Sequence, residues 1–225
     1  MKGLFYSALQ LNRGYFIGAA AAFLCSAAVG SVVLNLVKES GDTFGLGFLC
    51  VYILPLLPIV ILSEFFARDL EKNIKSGFLN YTLSSMPRNS FLLSQLIINI
   101  VCTGLGLLLG LALLLIYRAV FPSYVDQTLF GVLPLVAVLA SMVEWIVFPT
   151  TMLMKSAEKA GLTVGIIIGF GIVLPIMTVY RLEILLFDLE NLLDVRFLMI
   201  FAAAALAVYA GFFAISTKLL KRGVC

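Results

Sequence analysis

The stretch FLLSQLIINIVCTGLGLLLGLALLLIY at residues 91–117 decides the fold class, because it contains no charged side chain. A helix of roughly 20 apolar residues is long enough to span the hydrocarbon core of a bilayer. Further segments of this kind lie at about 15–37, 44–63, 129–154, 161–180 and 197–217. The sequence therefore predicts an all-α membrane protein with six transmembrane helices, in a single transmembrane domain over 1–225.

The composition excludes several classes of protein. Hydrophobic residues make up 62% of the chain and charged residues 12%, whereas soluble domains are about 45–50% apolar and about 25% charged. The chain contains no histidine, which excludes intramembrane enzymes that depend on histidine, and no GxxxxGK[ST] motif, which excludes ATP binding by a P-loop. We therefore expect no catalytic site and no metal or other cofactor in this chain.

The basic residues predict the orientation of the spans, because short cytoplasmic loops are enriched in Lys and Arg. They lie beside the spans and not in a run, so they do not suggest a nucleic-acid partner. One set of connections holds eleven basic residues and the opposite set holds four, Lys38, Arg118, Arg181 and Arg196. The richer set comprises Lys2, Arg13, Arg68, Lys72, Lys75, Arg88, Lys155, Lys159, Lys218, Lys221 and Arg222. Both termini are therefore predicted to be cytoplasmic.

Three connections have amphipathic patterns. Residues 1–14 are predicted to form an interfacial helix, with a plain basic tail as the alternative. Between the second and third spans, 65–76 predicts a short helix with Phe66, Leu70 and Ile74 on one face and charges on the others. The external segment 181–196 predicts a helix on or dipping into the outer leaflet, or else an ordinary packed loop.

Few polar groups lie inside the spans. Glu144 is the one ionisable residue deep in a predicted span, and intramembrane acids usually face a bundle interior, a cavity or a partner. It is interpreted either as a polar lining of a translocation path or proton site, or as a structural residue that pairs with a group such as Asn99 or reaches water near the inner interface. The GxxxG pairs Gly106/Gly110 and Gly165/Gly169 predict close helix packing.

The order of these features resembles the permease subunits of type-2 ABC exporters. The resemblance rests most on two stretches, Phe66-Ala67-Arg68-Asp69-Leu70-Glu71-Lys72-Asn73 and Tyr81-Thr82-Leu83-Ser84-Ser85-Met86-Pro87-Arg88. The family has a cytoplasmic coupling helix that seats in a groove of a separate P-loop ATPase. Carried over to this chain, the coupling residues are Phe66, Arg68, Asp69, Leu70, Glu71, Lys72 and Lys75; a solvated loop helix without a partner is the alternative.

The resemblance implies a small permease in the bacterial cell membrane. It implies two copies of the permease or a related heterodimer, with ATP and Mg on the partner ATPase, exporting an amphipathic peptide, bacteriocin or drug. A cationic peptide would be attracted to the external acids Glu183, Asp188, Glu190 and Asp194. The alternatives are a membrane scaffold or channel that works without an ATPase and, ranked lower, an intramembrane enzyme.

Overall fold

The computed structural model describes residues 13–40, 44–75, 87–168 and 195–221, and the regular structure within these ranges is entirely helical. Five segments in them are long and apolar enough to span a membrane. They are Arg13–Lys38, Cys50–Lys75, Arg88–Val120, Thr128–Met154 and Phe201–Lys221. The all-helical character predicted from the sequence is therefore confirmed for the described part of the chain, and these five segments are compatible with a membrane protein.

Seven α-helices and one 3₁₀ turn are described. The helices are α1 (Arg13–Ser40), α2 (Phe44–Ile53), α3 (Leu57–Lys75), α4 (Arg88–Val120), α5 (Thr128–Met154), α6 (Ala157–Ile168) and α7 (Val195–Lys221), and the 3₁₀ turn Leu54–Leu56 lies between α2 and α3.

Four of these helices correspond closely to predicted spans: α1, α4, α5 and α7. The fifth predicted span, 161–180, begins inside α6, and its continuation from 169 lies outside the described residues. The same holds for 1–12 and 181–194, so the fifth span, and with it the total of six, stays a prediction, as do the interfacial helix and the external amphipathic segment.

The second predicted span, 44–63, begins where expected but differs from its expected form in the middle and at its end. Pro55 and Pro58 lack the amide hydrogens that an α-helix needs, and the chain passes through the 3₁₀ turn at this point. Beyond the turn, α3 runs without a break to Lys75, through the boundary that the sequence predicts between a span ending near residue 63 and a separate helix at 65–76. The charged segment is thus the end of the same helix that carries the last part of the second span.

The chain folds into two compact units. We call them the Tyr117 unit (Leu9–Phe65 and Ile100–Ala140) and the Trp145 unit (Phe66–Asn99 and Ser141–Cys225 together with Met1–Ala8), and only their described residues are discussed.

Close backbone contacts hold the Tyr117 unit together at the two glycines of α4. A Cβ at Gly106 would lie 2.7 Å from the Cα of Ile59 and 2.9 Å from the carbonyl oxygen of Pro58. A Cβ at Gly110 would lie 2.5 Å from the carbonyl oxygen of Pro55. The predicted packing role of this GxxxG pair is confirmed, and its partner is the proline-broken segment of the second span.

A second close contact in this unit involves the fully buried Tyr117. Its hydroxyl donates a hydrogen bond to the carbonyl oxygen of Ser26 at 2.5 Å. That carbonyl lies one helical turn before Gly30, and a Cβ on Gly30 would collide with the tyrosine hydroxyl. The absence of a side chain at Gly30 therefore opens a backbone carbonyl of α1 to a side-chain donor from α4.

The outer surfaces of the spans are strongly apolar, while polar side chains lie inside. Leu24, Met199 and Leu206 are each about two thirds exposed or more, at 66%, 68% and 71%. In contrast, Asn99, Thr151 and Ser216 have no exposed surface. This distribution, apolar outside and polar inside, suits a lipid exterior.

Candidate functional site

The charged end of α3 has one exposed face and one buried face. Arg68, Lys72 and Lys75 follow the i, i+4, i+7 spacing that places side chains on one side of a helix. The Arg68 side chain is 40% exposed and that of Lys75 is 65% exposed, and Lys72 is exposed as well. The outward face of this helix end is therefore a stripe of three cations, which we call the basic stripe.

Leu70 holds the opposite face in the core of the Trp145 unit. It is 1% exposed and belongs to a buried cluster with residues of three other helices. Within this cluster the rings of Trp145 and Phe148 stack with centroids 5.4 Å apart. The remaining buried members are Phe91, Leu92, Met152 and Leu220. The packing ties the end of α3 to α4, α5 and α7, so this segment is part of the folded unit and not a detached loop.

The two acidic residues beside Leu70 are also buried, although the resemblance places them at a partner. Asp69 is 3% exposed and accepts a hydrogen bond from Asn73 Nδ2 at 2.9 Å. Glu71 is 9% exposed; its Oε1 lies 2.6 Å from Lys75 Nζ and its Oε2 lies 3.7 Å from Arg68 Nη1. Both carboxylates thus make contacts within this chain.

Glu71 also reaches a helix that lies far away in sequence. Its Oε2 accepts a hydrogen bond from the backbone N–H of Ala157, the first residue of α6, at 3.1 Å. The first N–H groups of a helix have no partner within the helix, and a negative charge there is favoured by the helix dipole. Ser156 before Ala157 hints at a helix start in the sequence, but nothing in the sequence pairs this start with Glu71.

The turn before α6 is tight. Lys155 has φ 54°, the left-handed region that few residues other than glycine adopt, and its N–H bonds to the carbonyl oxygen of Thr151 at 2.8 Å. Ser156 then accepts two hydrogen bonds, from the N–H of Lys159 to its side chain at 3.4 Å and from the N–H of Ala160 to its carbonyl at 3.1 Å. Only two residues therefore separate α5 from α6.

The intramembrane polar residues form a link among three helices of the Trp145 unit. Asn99 of α4 donates from Nδ2 to the carbonyl oxygen of Ser141 in α5 at 3.0 Å. The Tyr209 hydroxyl of α7 lies 2.6 Å from Ser141 Oγ, and Trp145 Nε1 donates to the Tyr209 carbonyl at 3.2 Å. Glu144 is half-buried, one turn after Ser141. Asn99 thus has a packing role, while the role of Glu144 stays a prediction.

Other predicted site residues lie outside what the structure describes. The backbone of Phe66 belongs to α3, but its side chain is outside the described set. The external acids lie entirely outside the described residues, so their attraction for a cationic peptide stays a prediction. They are Glu183, Asp188, Glu190 and Asp194. Within the described residues, no cluster of Cys, Asp and Glu has an arrangement suited to holding a metal ion.

The arrangement at the end of α3 is thus a rigid, partly buried helix terminus that presents three cations outward and fixes two acids inward. The chain matches no protein-family model, no curated protein and no solved structure.

Proposed function

We propose that this chain is the permease subunit of a type-2 ABC exporter. It moves an amphipathic or hydrophobic substrate outward through the bacterial cell membrane, with ATP and Mg bound by a separate P-loop ATPase. Two permease copies and two ATPases form the working unit, both termini of each permease are cytoplasmic, and a cationic peptide is the proposed substrate class.

The observation that carries the proposal is the continuity of α3. The helix runs from the membrane-spanning segment into the basic stripe without a break. No loop lies between the charged segment and the apolar part of this helix. Such an element suits a subunit that has no P-loop of its own and responds to nucleotide-driven closure of a partner. Coupling then works by population shift, because ATP favours the closed ATPase dimer.

The burial of Asp69 and Glu71 sharpens the expected contact with the ATPase. The side chains available to a partner at this helix end are Arg68, Lys72 and Lys75. A groove that receives them should be acidic, and opposite charges across an interface mainly raise the association rate and specificity.

The alternative of an intramembrane enzyme is weaker on the same observations. Asn99, Ser141 and Tyr209 already bond to one another across helices, so they are engaged in packing and not free to act on a substrate.

The test is charge reversal of the exposed lysines, Lys72→Glu with Lys75→Glu. We expect the wild-type chain to co-purify with a P-loop ATPase and to stimulate its ATP hydrolysis, and the double variant to lose the complex. The control is Lys218→Glu with Lys221→Glu, the same charge change at the end of α7, which should retain it. A wild-type chain that works without any ATPase would favour the scaffold or channel instead.

A further inference from the structure

The basic stripe and the buried Glu71 of α3 face different surroundings, solvent in one case and the start of α6 in the other. Lys72 and Lys75 are exposed, whereas Glu71 is 9% exposed and bonds to Ala157 at the start of α6. A partner that docks on α3 would meet the lysines first. The Glu71 carboxylate faces into the Trp145 unit, where it accepts a hydrogen bond from the N–H of Ala157, which lies 86 residues further along the chain.

The start of α6 is held in place by buried side chains and by the hydrogen bonds of the turn before it. Ala157 is 6% exposed and Ala160 is fully buried, in a cluster with Val147 and Val164. The left-handed Lys155 and the hydrogen bonds to Ser156 fix the turn that precedes it. Because the turn has little freedom, displacement of the carboxylate moves the first turn of α6 and does not merely bend a loop.

We propose that Glu71 is a positioning residue that couples the charged end of α3 to α6, and that it does not contact the partner. The negative charge of Glu71 is stabilised by the helix dipole at the N-terminus of α6. The exposed Lys75 forms an ion pair with the carboxylate and holds it in position. The bond between the two helices stands on this chain's own geometry. The transmission of a partner's motion through it rests on the proposed function.

The bond itself is tested by hydrogen–deuterium exchange on the intact chain in lipid nanodiscs, without any partner. Glu71→Ala removes the acceptor, and a hydrogen bond to a charged group is worth about 1.5–3 kcal/mol, so exchange in peptides covering Ala157–Ala160 should rise about ten- to a hundred-fold. Glu71→Gln keeps a neutral acceptor and should give a smaller rise. The control Glu158→Ala removes an exposed acid from the same turn of α6. A charge at this position interacts with the helix dipole by about 0.3–1 kcal/mol, so exchange should rise by at most about fivefold.

Lys75→Ala serves as a second variant that is mild for folding. It removes the ion pair with Glu71 and leaves the hydrogen bond from Ala157 to Glu71. The rise in exchange at the start of α6 should therefore be no larger than in Glu71→Gln. Unchanged exchange at Ala157–Ala160 in both Glu71 variants overturns the proposal. So does a rise of equal size in Glu158→Ala, because the effect would then be a general loss of negative charge near this turn.

The transmission is tested with the ATPase complex. Glu71→Ala should bind the ATPase with wild-type affinity but lose most of the stimulated ATP turnover, and Glu71→Gln should recover part of it. Loss of affinity equal to that of Lys72→Glu with Lys75→Glu makes Glu71 a contact residue and overturns the proposal. If the wild-type chain binds no ATPase, the proposed function fails, and the exchange experiment alone decides whether Glu71 joins the two helices.

Discussion

The sharpest test of the fold is a pair of alanine substitutions in α4, Gly106→Ala and Gly104→Ala. Both replace a glycine in the same helix two residues apart, so both gain helix propensity of up to about 1 kcal/mol. Their surroundings differ. A Cβ at Gly106 would lie 2.7 Å from the Cα of Ile59, whereas a Cβ at Gly104 meets nothing within 4 Å.

The difference between the two variants isolates the packing cost. Backbone atoms of Ile59 and Pro58 cannot swing aside as a flexible side chain does, so the helices must separate or α4 must shift. Overpacking of this kind costs about 1–3 kcal/mol. Because the propensity gain is common to both variants, Gly106→Ala should be about 1–3 kcal/mol less stable than Gly104→Ala.

The assay is reversible unfolding in mixed micelles of increasing SDS fraction, followed by far-UV circular dichroism. Gly110→Ala should behave as Gly106→Ala does, since its Cβ would lie 2.5 Å from the carbonyl oxygen of Pro55. If Gly104→Ala and Gly106→Ala unfold within about 0.5 kcal/mol of each other, α4 does not pack against the broken segment as described.

Two further predictions use the same unfolding assay. Tyr117→Phe removes the hydrogen bond to the Ser26 carbonyl and should cost about 0.6 kcal/mol, and at most about 1.7, the range for such bonds between membrane helices; an equal loss in Tyr124→Phe would show that the bond contributes nothing specific. Lys155→Gly relieves the left-handed conformation at φ 54° and should stabilise by about 1 kcal/mol relative to Lys155→Ala, an expectation that fails if the two variants are equally stable.

Apolar length located the spans well because a bilayer imposes one thickness on every helix that crosses it. The third predicted span, 91–117, lies inside the observed Arg88–Val120. The helix is longer because backbone hydrogen bonding continues into the interface, where Arg88 and Arg118 are tolerated at the helix ends. A window that counts apolar residues cannot register those turns.

The burial of Asp69 and Glu71 at the charged end of α3 is harder to predict, because the buried face of the helix extends beyond its apolar residues. Leu70 and Ile74 define one face, and an amphipathic helix normally buries an arc of about 100°. Asp69 and Glu71 lie about 100° to either side of Leu70, which would leave them at the surface of such a helix. Asp69 accepts a hydrogen bond from Asn73 of the same helix, whereas Glu71 accepts one from the N–H of Ala157, 86 residues further along the chain. Pairings over this sequence distance leave no periodic signal.

Two contacts of α3 differ in kind, and the difference predicts different effects of substitution. Near its start, the backbone of Pro58 and Ile59 packs directly against Gly106, an uncharged contact with no room for a side chain. Near its end, Glu71 holds α6 through a single charge-assisted bond. Both kinds of variant should lower the free energy of unfolding, by about 1–3 kcal/mol at Gly106 and by about 1.5–3 kcal/mol in Glu71→Ala. Under the proposed function, only the Glu71 variants should also reduce the response to the ATPase by more than this loss of stability explains.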